Sequence, residues 1–247
     1  MTDDQAETRA GSQAETRAED RPPVTADALR ERMRSAPVLA GPLPRFDPAT
    51  AGPEPGQVFA RWLAHALDDG VPEPHVMTLS TADAAGRPSA RVLMLRGIDL
   101  DGLAFDFASD AASRKGRELA DRPYAALSWY WPAHGRQIRV TGPVETLDRA
   151  TARRDFLARR EASRVAGFTG VMSAPMEGRA AYEEARRRAT EHIAAHPDDV
   201  PEGHTVYRLA AEEAEFWQGA PAQGHVRLRY TRDPAAPGGW TRGLLWP

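Results

Sequence analysis

The chain has 247 residues, 41% of them hydrophobic, no cysteine, and a formal net charge of −3 from 32 Lys and Arg against 35 Asp and Glu. Without cysteine there are no disulfides, no thiolate catalysis and no cysteine-ligated metal centre, and a slightly acidic balance speaks against a broad nucleic-acid-binding surface. No apolar run approaches the ~20 residues that span a bilayer, and the acidic N-terminus is unlike a signal peptide, so a cytoplasmic protein with no membrane or nucleic-acid partner is expected.

In chain order, the hexapeptide Gln5-Ala6-Glu7-Thr8-Arg9-Ala10 recurs at Gln13 to Ala18 with no apolar face, and residues 1–24 read as a disordered tail. Residues 25–55 follow as a short capped helix from Thr25 and a Pro- and Gly-rich extended arm. One domain is expected over residues 56–247. It opens with a helix carrying Val58, Phe59, Trp62, Leu63 and Leu67 on one face and closed by Gly70.

From His75 the period falls to 2. "HVMTLSTAD", "SARVLMLRGI" and "LAFDFAS" are separated by turn signatures and read as an antiparallel meander, which "YAALSWYW" and "RQIRVTGPVETL" extend. Two helices are expected around Arg149–Arg159 and Gly178–Ala194, then strands at "TVYRLA", "AEFWQG", "HVRLRYTRD" and "GGWTRGLLW". Many short strands with few helices predict a mainly β, α+β fold, a closed or nearly closed barrel with peripheral helices.

The chemistry starts at Ser113-Arg114-Lys115-Gly116, where two cations stand in the first turn of a helix. A helix N-terminus is already partly positive, so an anion is the natural partner, most simply a phosphate. A solvated charge pair is the plain alternative. In "RVLMLR" the period of 2 puts Arg91, Leu93 and Leu95 on one face and Val92, Met94 and Arg96 on the other. His192 and His196 lie one helical turn apart but have no third ligand in suitable spacing, so no metal site is expected.

The ordered run "RVLMLR", "FASDAASRKG", "RQIRVTGPVE", "EFWQG" and "HVRLRY", with a terminal Trp strand, resembles the pyridoxine (pyridoxamine) 5′-phosphate oxidase family from about Gly56 to Pro247. The resemblance implies an FMN-binding split β-barrel, a homodimer with FMN at its interface, hydride transfer from a substrate C–N bond to the flavin, and dioxygen as acceptor. It further implies that Arg91, Ser109, Arg114 and Lys115 surround the flavin phosphate. Val92, Leu93, Met94, Leu95, Arg96 and Ala108 would line the cofactor, with Gln137, Trp217 and Arg227 as further contacts and Ser173 supplied by the partner chain. Met172 replaces the family's usual Gln before that Ser.

The substrate side departs further. The family's Lys, Tyr, Arg and Ser for the substrate phosphate correspond here to Arg96, Asp155, Arg159 and Ser163, and its Arg and His over the substrate ring to Gln223 and His225. A carboxylate ~4 Å from a phosphate charge costs roughly 4 kcal/mol at an effective dielectric near 20, and a lost charge-assisted bond roughly 1.5–3 kcal/mol more. Pairing of Asp155 with Arg159 one turn later, or compensation by Arg96, would relieve this. The expected substrate is therefore a non-phosphorylated cyclic or conjugated amine, like those of a sister branch acting on phenazine precursors in antibiotic biosynthesis. His225 and Arg159 are the catalytic candidates. A genuine B6 enzyme and a non-catalytic flavin- or haem-binding barrel are the alternatives, with a deazaflavin reductase as a third reading.

Overall fold

The structure is a computed structural model describing residues 24–170, 172–221 and 224–247. Apart from Val24, the expected tail at residues 1–24 lies outside the described residues. The chain divides into two compact units between Ala40 and Gly41. In the first, Thr25 caps helix α1 (Ala26–Ser35) by accepting from the Ala28 N–H, and none of that helix is buried.

The second unit opens on helix α2 (Pro55–Asp68), which buries Val58, Phe59, Trp62 and Ala66. Leu67, expected on the same face, is exposed, because it stands about half a turn round the helix from Val58 and Ala66 takes its place. The ten strands are β1 (Val76–Ala82), β2 (Pro88–Met94), β3 (Gly97–Asp99), β4 (Ala104–Asp110), β5 (Tyr124–Trp131), β6 (Arg136–Thr146), β7 (His204–Ala210), β8 (Glu213–Gln218), β9 (Val226–Arg232) and β10 (Trp240–Leu244). Helices α3 (Arg114–Asp121), α4 (Arg149–Leu157), α5 (Glu161–Gly167) and α6 (Arg179–Ala195) complete the unit. The short α5 was not foreseen from the sequence; it packs Val165 with Ala189 and Ile193 of α6 in a small core of its own.

All pairings are antiparallel, with the order β10-β9-β8-β6-β5-β1-β2 along the main path and β3-β4-β7 joined through β6. Strand β6 is the hinge of this arrangement. Its residues Arg136–Thr141 pair with β8, and Val144–Thr146 pair with β7. Gly142 stands at the change of partner, where a Cβ would overlap the Ala210 carbonyl. The main core joins Phe59 and Trp62 of α2 to Leu79, Phe105, Leu127, Trp129, Ile138 and Phe216 of the sheet. Phe59 meets Phe105 and Trp129 edge-on at centroid distances of 4.9 and 5.2 Å. Strand β2 ends the sheet order, and its Val92 and Met94 are exposed, so one backbone edge and an apolar row face outward.

Candidate functional site

Residues expected around an anion do converge. Ser113, fully buried, caps α3 by accepting from the Gly116 N–H at 3.2 Å and so points the first turn toward Ser109 and Lys115. Lys115 Nζ donates to Ser109 Oγ at 3.0 Å and to Ser113 Oγ at 3.3 Å; burial, then the nearby Arg91, holds its pKa below the usual lysine value. From β2, Arg91 and Ser89 reach the same recess, which Arg114, Lys115 and Ser173 also line. Ser173 Oγ accepts from the Arg114 N–H of its own chain at 3.3 Å. The segment after α5 thus brings Ser173 to the start of α3 within one chain.

Beneath these cations lies a residue the sequence reading missed. Glu118, 4% exposed, accepts from Thr81 Oγ1 (2.5 Å), Ser89 Oγ (2.6 Å), Arg91 Nη2 (3.3 Å) and Arg114 Nε (2.8 Å). Burial pushes its carboxyl up, but the hydrogen bonds from Ser89, Thr81 and Arg114 outweigh that and hold it at about 2. Its signal in the sequence was the i,i+4 spacing from Arg114.

The second cluster lies around Asp155 on α4. Its carboxylate accepts from Arg96 Nε at 2.7 Å, from Arg159 Nε and Nη2 at 3.1 and 2.8 Å, and from His204 Nε2 at 2.9 Å. Burial opposes the charge, yet His204, Arg96 and Arg159 together hold the carboxyl well below the usual range. Both forms of relief foreseen for Asp155 thus operate at once. His204, at the start of β7, was not foreseen, since only the long return of the chain brings it to α4. Beside the network, Leu93, Ala108, Lys115, Arg159, Ser163 and His204 line a cavity of about 290 Å³. Lys115 borders both this cavity and the recess beside Arg91 and Arg114.

The remaining candidates lie elsewhere on the sheet. Gln137 is cross-strand partner to Trp217, and Trp217 to Arg227. Arg227 is engaged by the buried Glu215, with Nε to Oε1 at 2.8 Å. His225 lies 5.1 Å from the Trp217 ring, and its Nδ1 accepts from the Ala220 N–H at 3.1 Å. A backbone N–H can only donate, so the neutral ring carries its proton on Nε2 and offers a donor there. Gln223 lies outside the described residues. Val92 and Met94 point outward on β2, whereas Leu93 and Leu95 pack against the core, as the period required.

His65, Asp69 and His134 also cluster, with ligand atoms within 4.8 Å of one another. Arg136 Nη1, however, donates to His65 Nδ1 at 3.2 Å, which leaves the His65 proton on Nε2, the atom a cation would need free. His192 Nε2 lies 3.1 Å from Asp199 Oδ2 without hydrogen-bonding to it, and no third metal-ligating group joins His192 and His196 among the described residues.

Comparison with known proteins agrees with this layout. A model of the pyridoxamine 5′-phosphate oxidase family matches residues 63–218, and one of the pyridoxine 5′-phosphate oxidase C-terminal dimerisation region matches residues 204–247. The pyridoxine/pyridoxamine 5′-phosphate oxidase of Burkholderia multivorans is 42% identical over 202 residues, 82% of this chain and 93% of that protein. That of Burkholderia thailandensis is 40% identical over the same length and shares. PhzG from Burkholderia lata 383, solved in complex with tetrahydrophenazine-1-carboxylic acid, superposes with a TM-score of 0.75 at 29% identity, covering 84% of this chain and 100% of that one. A pyridoxamine 5′-phosphate oxidase-related, FMN-binding protein from Nostoc punctiforme shares the fold, with a TM-score of 0.61 at 21% identity over 76% of this chain and 97% of that one. The chain belongs to the pyridoxamine 5′-phosphate oxidase family.

Proposed function

We propose, with that membership as premise, that the protein is an FMN-dependent oxidase acting on a small cyclic or conjugated amine that carries no phosphate, of the phenazine-precursor kind, with dioxygen as acceptor. The observation that carries the substrate half is Asp155, whose carboxylate engages both arginines that would otherwise meet a substrate phosphate. The likeness to PhzG, which holds a tetrahydrophenazine carboxylic acid, points the same way.

The donor set fits FMN. Arg91, Arg114, Lys115 and Ser173, with Ser109 bonded to Lys115, make a cradle for a phosphate dianion at the start of α3, and the open edge of β2 offers backbone groups to a flat ring. Bound FMN supplies the two-electron acceptor for C–N oxidation. The chain's own groups bind and orient: Gln137 and Trp217 meet the ring, and His225 donates from Nε2 to the substrate. Along the sheet order four steps separate β2 from β8, about 19 Å at the usual strand spacing. Cradle and ring contacts so far apart in the order support a homodimer with FMN at the interface, in keeping with the dimerisation-region match.

A second reading, a genuine pyridoxine/pyridoxamine 5′-phosphate oxidase, is favoured by the 42% identity to such an enzyme and opposed by Asp155. Purification without added cofactor, a visible spectrum, and oxygen uptake with reduced phenazine precursors and with pyridoxine 5′-phosphate separate the two. Released FMN with turnover of the first class alone is expected; ordinary turnover of pyridoxine 5′-phosphate establishes the second reading instead.

A further inference from the structure

We propose that Glu118 is a positioning residue for the cofactor phosphate: from beneath the recess its carboxylate fixes the Arg114 guanidinium in the orientation that receives the anion and holds Arg91 beside it as a fixed charge. The inference rests on the FMN reading of the preceding section. It starts from an oddity of charge, because an acid beside a phosphate site should by Coulomb's law repel the ligand.

The bonding pattern removes the oddity. Arg114 spends its Nε on Glu118 Oε1, and among the described residues neither of its terminal nitrogens has a side-chain or backbone acceptor. Its side chain is 58% exposed, so that free end of the fork faces solvent. Arg91 is gathered inward: Nη1 donates to Leu79 O and Thr81 Oγ1, and Nη2 to Ser89 Oγ and Glu118 Oε2. Thr81 and Ser89 in turn donate to Glu118, so one carboxylate ties β1, β2 and α3 together under the recess. Burying a lone charge on the inner face of a helix beside Leu119 is costly, and an apolar side chain there would be cheaper for folding alone. The carboxylate instead spares the helix start three unopposed cations and keeps two of them from swinging away. A phosphate then meets groups whose rotamers are already fixed, which lowers the ordering cost of binding.

Opposite signs are expected from the two roles Glu118 could play, and the test uses that. Dissociation constants of FMN and riboflavin are measured by quenching of flavin fluorescence for the wild-type chain, Glu118→Gln and Ser89→Ala. For Glu118→Gln the FMN affinity should fall about tenfold or more, the scale of a lost charge-assisted bond, with riboflavin changed less than about twofold. Ser89→Ala, which keeps the carboxylate, should lower FMN affinity about threefold with the same indifference of riboflavin, and it covers the case in which Glu118→Gln folds poorly. Tighter FMN binding in Glu118→Gln would show the carboxylate to be an electrostatic opponent, and equal losses for both flavins would reduce it to a fold-stabilising residue; either result overturns the proposal. A wild-type chain that binds neither flavin removes the FMN reading itself, and with it this inference.

Discussion

Glu118 and Asp155 each gather a pair of arginines, and they leave those arginines in opposite conditions. Glu118 takes one nitrogen from Arg91 and one from Arg114 and leaves the far end of the Arg114 fork in solvent. Asp155 takes two nitrogens from Arg159, one from Arg96, and a His204 N–H besides. On the proposed reading the first arrangement holds the Arg114 fork ready for an outside anion; the second supplies the anion internally. A buried ion pair is thus no sign of function until the donors it leaves over are counted.

The sharpest way to break the contrast is Asp155→Asn. Removing the charge frees Arg96 and Arg159 for an outside phosphate while stranding them in the apo protein, so stability should fall by about 3 kcal/mol. Affinity for pyridoxine 5′-phosphate should rise at least about tenfold, read by inhibition or turnover. An unchanged affinity would mean that Asp155 is not what excludes a phosphate.

Acid comes next in size and acts on both carboxylates. The Glu118 carboxyl is held at about 2 against an ordinary 4.5, and that of Asp155 is also lowered. A depressed folded pKa stabilises the fold above the unfolded value, and that contribution is lost as pH falls through the folded one. Melting temperature should therefore drop between pH 4.5 and 2, with Glu118 contributing about 2 kcal/mol after screening by the solvent that reaches Arg114. Glu118→Gln should flatten that part of the curve. A slope unchanged in the variant would place the titration elsewhere.

The smallest effect concerns the ring side. His225→Asn keeps a donor but not its reach, and turnover should fall about tenfold or less with flavin content unchanged.

Much of this was legible before folding. The alternation in "RVLMLR" fixed which side chains of β2 face the core, since a period of 2 on a half-buried strand leaves no other register. Helix-start chemistry marked Arg114 and Lys115 locally, and Arg91 joined them only through the family resemblance. What the sequence hid was non-local or inward. Glu118 looked like one more acid on an exposed helix until β1 and β2 covered it. His204 reaches Asp155 across 49 residues of intervening chain, and Ser173 returns to its own α3 by a fold-back that no local rule encodes.

The shared strand β6 has a consequence for how the molecule comes apart. It is held along one edge by β5 and along the other by β8 and then β7. Its amide hydrogens should therefore be among the slowest in the chain to exchange with deuterium.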